Sequence, residues 1–332
     1  MAPDFPAWIT RLAVALAFTV VVLGAYVRLS HAGLGCPDWP GCYGEMIVPE
    51  QVAPHVETQH QRPLEHGKAW KEMVHRYAAG TLGLLIAFLA VRSWKNRKQP
   101  GVSMVLPVLL VALVVFQAAL GMWTVTLLLR PVIVVAHLLG GMTILALLFW
   151  MLVEHIGGDY RSRHPAWFPW VTAALVMLAI QITLGGWTSA NYAALACPDF
   201  PTCLGQWWPP LDFAGGFTLR HQPGMDYEGG ILAGDARAAI HVAHRLGALF
   251  SFLLIGATAL RVLRDGDKPA GTLGFLLLGA LIVQLALGIS NVLLRLPLPV
   301  AVAHNAVAAL LLLILVALLH RSLPPGVFRR QA

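Results

Sequence analysis

Histidine and cysteine recur in this chain as a set. Cys36-Pro-Asp-Trp-Pro-Gly-Cys42 returns 161 residues on as Cys197-Pro-Asp-Phe-Pro-Thr-Cys203, and His75-Arg76 returns as His244-Arg245. Gln117-x-x-Leu120-Gly121, followed by His137, returns as Gln284-x-x-Leu287-Gly288, followed by His304. Each half thus carries one cysteine pair and two histidines set in apolar sequence. Two imidazoles facing each other inside a hydrophobic helical bundle are what a haem iron takes as axial ligands. A duplication that keeps this order implies two similar sites. The expected pairs are His75 with His137 and His244 with His304, as metal ligands to haem iron.

The two halves differ at one position that matters chemically. Glu72 precedes His75 by three residues, which puts both on one helical face, whereas the matching position before His244 is His241. The first site therefore has a carboxylate and is the better candidate for catalysis. The second reads as a plain bis-imidazole electron-transfer site. The plainer role for Glu72 is an acid near a helix N-terminus. Arg76 and Arg245 suit haem propionates through bidentate charge-assisted bonds; snorkelling to outer headgroups is the competing role. Gln117 and Gln284 either meet haem edges or bond neighbouring helices. Solvated or interfacial roles are expected for His31, His55, His60, His66, His155, His164, His221 and His320.

These residues need elements to hold them, and composition says which kind. Of 332 residues, 58% are hydrophobic and 12% charged, more apolar sequence than a soluble chain of this length needs. Eight apolar segments are each long enough to cross a bilayer: 10–28, 74–92, 103–126, 132–153, 168–190, 239–261, 271–293 and 299–320. The first has no small-residue cleavage site, so it is expected to be a retained span rather than a signal peptide. The fold class expected is an all-α polytopic membrane protein. Its eight transmembrane helices form two parallel-repeat four-helix bundles, since four spans per half bring both halves in from the same side. The halves are 1–160 and 161–332, joined by a cytoplasmic segment at 154–167.

Thirteen of the 23 basic residues fall in short segments on one side, among them Arg92, Lys95, Arg97, Arg161, Arg163 and Arg264. The positive-inside rule puts that side and both termini in the cytoplasm. The net charge of +7 needs no nucleic-acid partner. Two long loops, 29–71 and 191–237, face outward and contain all four cysteines. A disulfide within each loop, Cys36 with Cys42 and Cys197 with Cys203, is the economical expectation on the oxidising side of a membrane. A redox-active dithiol or a soft-metal site is the alternative. A short amphipathic helix is expected near Val56–Leu64, and Trp207-Trp208 suit a membrane–water interface.

Taken together, Glu72-x-x-His75-Arg76, His137, His244-Arg245, His304 and a Cys-x5-Cys pair in each outer loop, set on eight spans, resemble the haem A synthase family. The resemblance is to the bacterial type with two cysteine pairs, related to the mitochondrial cytochrome oxidase assembly protein, and it covers nearly the whole chain. It implies that the N-terminal half binds haem O as substrate and the C-terminal half holds haem b as cofactor. The reaction implied is successive oxidation of the C8 methyl group of haem O to the formyl group of haem A, with Glu72 acting near the substrate. Implied partners are haem O synthase and an electron acceptor or donor. The implied location is the bacterial inner (plasma) membrane, with the haem sites toward the outer face. Two other classes compete: a dihaem b-type membrane electron-transfer cytochrome, and a haem transporter, for which no Gly/Pro-broken span pair builds an alternating path.

Overall fold

The computed structural model describes residues 7–52, 62–99, 102–156, 164–219, 224–265 and 267–323. Eight long helices dominate: α1 (Ala7–Leu29), α2 (His66–Lys95), α3 (Val105–Thr126), α4 (Pro131–Ile156), α5 (Phe168–Ala190), α6 (Gly234–Asp265), α7 (Lys268–Leu293) and α8 (Leu298–Ser322). A 3-10 turn at Pro165–Trp167 leads into α5, and a one-turn helix at Phe213–Gly216 lies in the second long loop. The shortest long helix has 22 residues, about 33 Å at ~1.5 Å per residue, against a hydrocarbon core of ~30 Å. Their outward faces are apolar too: Leu84, Val105 and Phe275 are 76%, 77% and 70% exposed. Large apolar side chains bared in such numbers are costly in water and suited to lipid. All eight helices fit membrane spans by length and composition.

Two spans run further than the apolar windows indicate. α2 starts at His66 and α6 at Gly234, one to two turns outward of 74 and 239. Polar residues end an apolar window, but they do not end a helix whose polar groups find partners. Here Lys68 pairs with Glu65 at 2.8 Å and Lys71 sits 5.3 Å above the Tyr26 ring. The amphipathic helix expected over Val56–Leu64 falls mostly outside the described residues, and 62–64 are irregular. His55, His60, His221, Arg161 and Arg163 also lie outside them.

Packing follows the chain. α1 contacts α2 and α4, α2 contacts α3, and α3 contacts α4. In the second half α5 contacts α6 and α8, α6 contacts α7, and α7 contacts α8. The halves meet through α1 on α8, α4 on α8 and α4 on α5. The main apolar core, with Leu145, Leu148, Trp167, Leu277, Leu311 and Leu315 all at most 1% exposed, joins both halves at the end away from the cysteine loops. Nearer those loops the bundle opens into a cavity of about 1800 Å³.

Candidate functional site

Each cysteine loop closes by the same local rules. The disulfides Cys36–Cys42 and Cys197–Cys203 both form, and no described cysteine is free. The second cysteine pairs in register with the residue three on, Cys42 N–H donating to the Glu45 carbonyl at 2.7 Å and Cys203 N–H to that of Gln206 at 2.8 Å. The aspartate of each motif caps this turn. Asp38 accepts from Tyr43 N–H at 2.6 Å and Gly44 N–H at 2.7 Å; Asp199 accepts from Leu204 N–H at 2.7 Å and Gly205 N–H at 3.0 Å. Gly44 and Gly205 have φ of 83° and 73°, which explains glycine at both. The hydroxyl of Thr202, with those amides, holds the Asp199 carboxyl below the usual carboxylate range.

Each loop is then bolted to the helix carrying the first histidine. Cys36 N–H donates to Glu72 Oε2 at 3.0 Å, and Arg76 Nη2 donates to Glu72 Oε1 at 2.6 Å. Arg76 Nη1 donates to the carbonyls of Asp38, Pro40 and Gly41. In the second half Cys197 N–H donates to His241 Nδ1 at 3.2 Å, and Arg245 Nε stands 3.3 Å from His241 Nε2. Arg245 also donates to the carbonyls of Thr202, Cys197 and Asp199. Glu72 and His241 thus do the same positional work with different chemistry. Glu72 is not the exposed helix-start acid of the plainer expectation: it is 4% exposed and lines the cavity. The guanidinium groups also line it, and most of their donors go to loop carbonyls rather than being left free.

The four recurring histidines all line the same cavity. His75 and His137 line it from the first half, and His244 and His304 from the second. Every ring lies on a glycine of the preceding helix. A Cβ built on Gly24 would stand 3.1 Å from His75 Cε1, on Gly121 3.3 Å from His137 Cε1, on Gly185 3.2 Å from His244 Cε1, and on Gly288 3.2 Å from His304 Cε1. Those contacts are tighter than most Cβ contacts, so a bare backbone lets each ring seat without shifting by a few tenths of an ångström. Gly24 and Gly185 were missed by sequence reasoning; Leu23-Gly24 and Leu184-Gly185 recur at the cysteines' own spacing and carried the signal.

Glutamines grip the histidines. Gln117 Nε2 donates to the His137 carbonyl at 2.6 Å, and Gln284 Nε2 stands 3.2 Å from His304 Nε2. Both therefore bond neighbouring helices. Gln181, which sequence reasoning did not single out, donates to the His244 carbonyl at 3.1 Å and stands 3.1 Å from its Nδ1. At the seam between the halves Arg28 donates to Tyr192 Oη at 2.9 Å and to the Ser189 carbonyl at 2.6 Å. His31, expected to be solvated or interfacial, stacks on Tyr192 with ring centroids 5.6 Å apart. His155 Nδ1 stands 2.7 Å from the Met151 carbonyl, and His164 and His320 pack against Trp167 and Trp150.

This arrangement suits a flat, mostly apolar metal complex. Among the described residues no three His, Cys, Asp or Glu cluster; the histidines come in pairs. Four imidazoles opening on one apolar cavity are donors of the kind a haem iron takes. The cavity far exceeds the ~300–1,000 Å³ of ordinary ligand pockets, as room for two large planar ligands requires. The residues present therefore fit haem.

Comparison with known proteins agrees with the geometry. Over 322 residues, 94% of each chain, this protein is 44% identical to a protein of Shewanella oneidensis named heme A synthase. A protein of the same name from Rhizorhabdus wittichii is 28% identical over 331 residues, 92% of this chain and 90% of that one. Another, from Bacillus licheniformis, is 26% identical over 298 residues, 86% of this chain and 85% of that one. The profile of the COX15-CtaA family, described as cytochrome oxidase assembly protein, matches residues 7–316. The chain belongs to the COX15-CtaA family of cytochrome oxidase assembly proteins.

Proposed function

We propose that this protein is a haem A synthase, which oxidises the C8 methyl group of haem O stepwise to the formyl group of haem A. The observation that carries the reading is the pair of cavity-facing histidine sites, only one of which has a buried carboxylate, Glu72. The names of its relatives support the same activity. Haem O is assigned to the N-terminal half, 1–160, between His75 and His137. Haem b is assigned to the C-terminal half, 161–332, between His244 and His304. The matching contact order of the four helices in each half supports a parallel repeat. Arg76 and Arg245 hold the loops over the cavity, and we assign their remaining donors to propionates.

Bound haem would carry the redox chemistry that oxidation of an unactivated methyl group needs, with an external electron acceptor taking up the electrons released. The chain's own residues do the rest. The glycine seats fix the depth of the imidazoles. The apolar cavity wall excludes water from the reacting methyl group. The Glu72 carboxylate, anchored by Arg76 and Cys36 N–H, sits on the cavity wall and can accept a proton there or stabilise positive charge on the substrate. The cavity lies at the disulfide-loop end of the bundle, and the basic short segments at the other. That supports haem sites toward the outer face of a bacterial inner membrane, with both termini cytoplasmic. Haem O synthase is the expected donor, since an apolar substrate passes best within the bilayer.

An electron-carrying dihaem cytochrome would use four histidines equally well but gives no part to a carboxylate in one half alone. The ligand assignment is tested by absorption and EPR spectra of purified variants. His244→Ala and His304→Ala each lose the low-spin haem b signal, whereas His75→Ala and His137→Ala keep it. A bis-imidazole signal retained in both C-terminal variants would sink the assignment.

A further inference from the structure

The residue four places before each seating glycine is Val20, Gln117, Gln181 or Gln284. It stands one helical turn from the glycine, within reach of the histidine on that seat. Three of the four positions use this reach. Gln117 holds the His137 main chain, Gln284 touches the His304 ring, and Gln181 holds both the carbonyl and the ring Nδ1 of His244. The fourth is valine. His75 alone of the four has no side-chain amide on it.

We infer that Val20 makes His75 the releasable ligand of the N-terminal site, while Gln181 makes His244 a fixed ligand of the C-terminal one. The inference rests on the haem assignment above and adds a division of labour within it. An imidazole that binds iron through Nε2 keeps its proton on Nδ1, and a buried N–H needs an acceptor. Gln181 has one to offer: its Oε1 is buried with no partner, and turning the amide over brings it to Nδ1 in exchange for the Nε2 bond to the His244 carbonyl. The amide's direction follows the ring proton, as side-chain amides do. An acceptor there fixes the ring plane and raises the ligand's basicity. Val20 and Gln181 both line the cavity, but the Val20 side chain has no polar atom. The Val20 main-chain carbonyl faces the His75 ring, as those of Gln117 and Gln284 face His137 and His304, whereas at His244 the acceptor is a side chain. A cofactor must stay and a product must leave, and the one departure from the glutamine pattern falls where release is needed.

The test uses full-length protein loaded with haem. Two rates are read: haem transfer to excess apomyoglobin, and carbon monoxide binding to the reduced protein. Wild type is expected to lose haem in a fast and a slow phase, with His75→Ala removing the fast one. Val20→Gln slows the fast phase and the carbon monoxide reaction on the order of tenfold, and leaves the slow phase alone. Gln181→Val speeds the slow phase by a similar factor, and Gln181→Glu, which keeps an acceptor oxygen, restores it. The untouched phase in each variant proves that the protein is folded. Wild-type rates in both Val20→Gln and Gln181→Val would overturn the inference. Wild-type protein that takes up no haem, or phases that survive both His75→Ala and His244→Ala, would instead overturn the haem assignment beneath it.

Discussion

Glu72 is where structure and chemistry are hardest to separate, because it does both. Its carboxylate ties Arg76 to Cys36 N–H at 4% exposure, and the side chain of Arg76 is itself only 11% exposed. Glu72→Ala removes the partner of a buried cation, a change that costs about 3–5 kcal/mol, so a clearly lowered thermal midpoint is expected. Glu72→Gln keeps an acceptor for Cys36 and much of the shape while removing the charge. In that variant haem b is expected to remain bound, and haem A formation to fall by on the order of 100-fold or more, as for loss of an acid–base group. Unchanged product in Glu72→Gln would confine Glu72 to holding the loop. The sequence displayed Glu72 because only it breaks the duplication next to a histidine. Its bond to the loop was not legible, since Cys36 lies 36 residues away and no local pattern joins them.

At the scale of elements the glycine seats decide whether the histidines can be ligands at all. Gly185→Ala places a methyl group 3.2 Å from His244 Cε1 and must displace the ring. Haem b affinity is expected to fall roughly tenfold or more, read by titrating haem into the apoprotein. Gly279→Ala, in α7 with nothing within 4 Å of the added atom, is the control and should bind as wild type does. Equal affinities would show that the ring yields without consequence. Most of this level was legible. Period, length and apolarity placed all eight helices within a few residues, except the N-terminal ends of α2 and α6. Those extend because loop and neighbour contacts satisfy polar residues that an apolar window counts as a stop.

Over the whole molecule, the seam between the halves was the least legible part. An apolar helix face that meets lipid and one that meets another helix have the same composition, so α1 on α8 and α4 on α8 could not be read from the chain. The cysteine-loop side adds a polar link: Arg62 pairs with Asp226 and, at 2.8 Å, with Glu228, which joins the two long loops. All three side chains are partly exposed, so the link is worth only ~0.2–1 kcal/mol per pair. Arg62→Ala is expected to lower the thermal midpoint slightly in low salt, with a smaller difference in high salt, and to leave the haem spectrum intact. A spectrum that changes with this variant would mean that the outer loops shape the sites beyond their anchors on Arg76 and Arg245. The recurrence of cysteines, histidines and turns was legible, because these are local signals that return in the same order 161 to 169 residues on.

The central claim is that these two sites together make haem A. The direct measurement is chromatography and mass analysis of haems extracted from cells that lack haem A and express this protein with haem O synthase. The account predicts haem A, or its hydroxymethyl precursor, with wild type and not with His75→Ala. Haem O accumulating unchanged beside folded, haem b-loaded wild-type protein would contradict it.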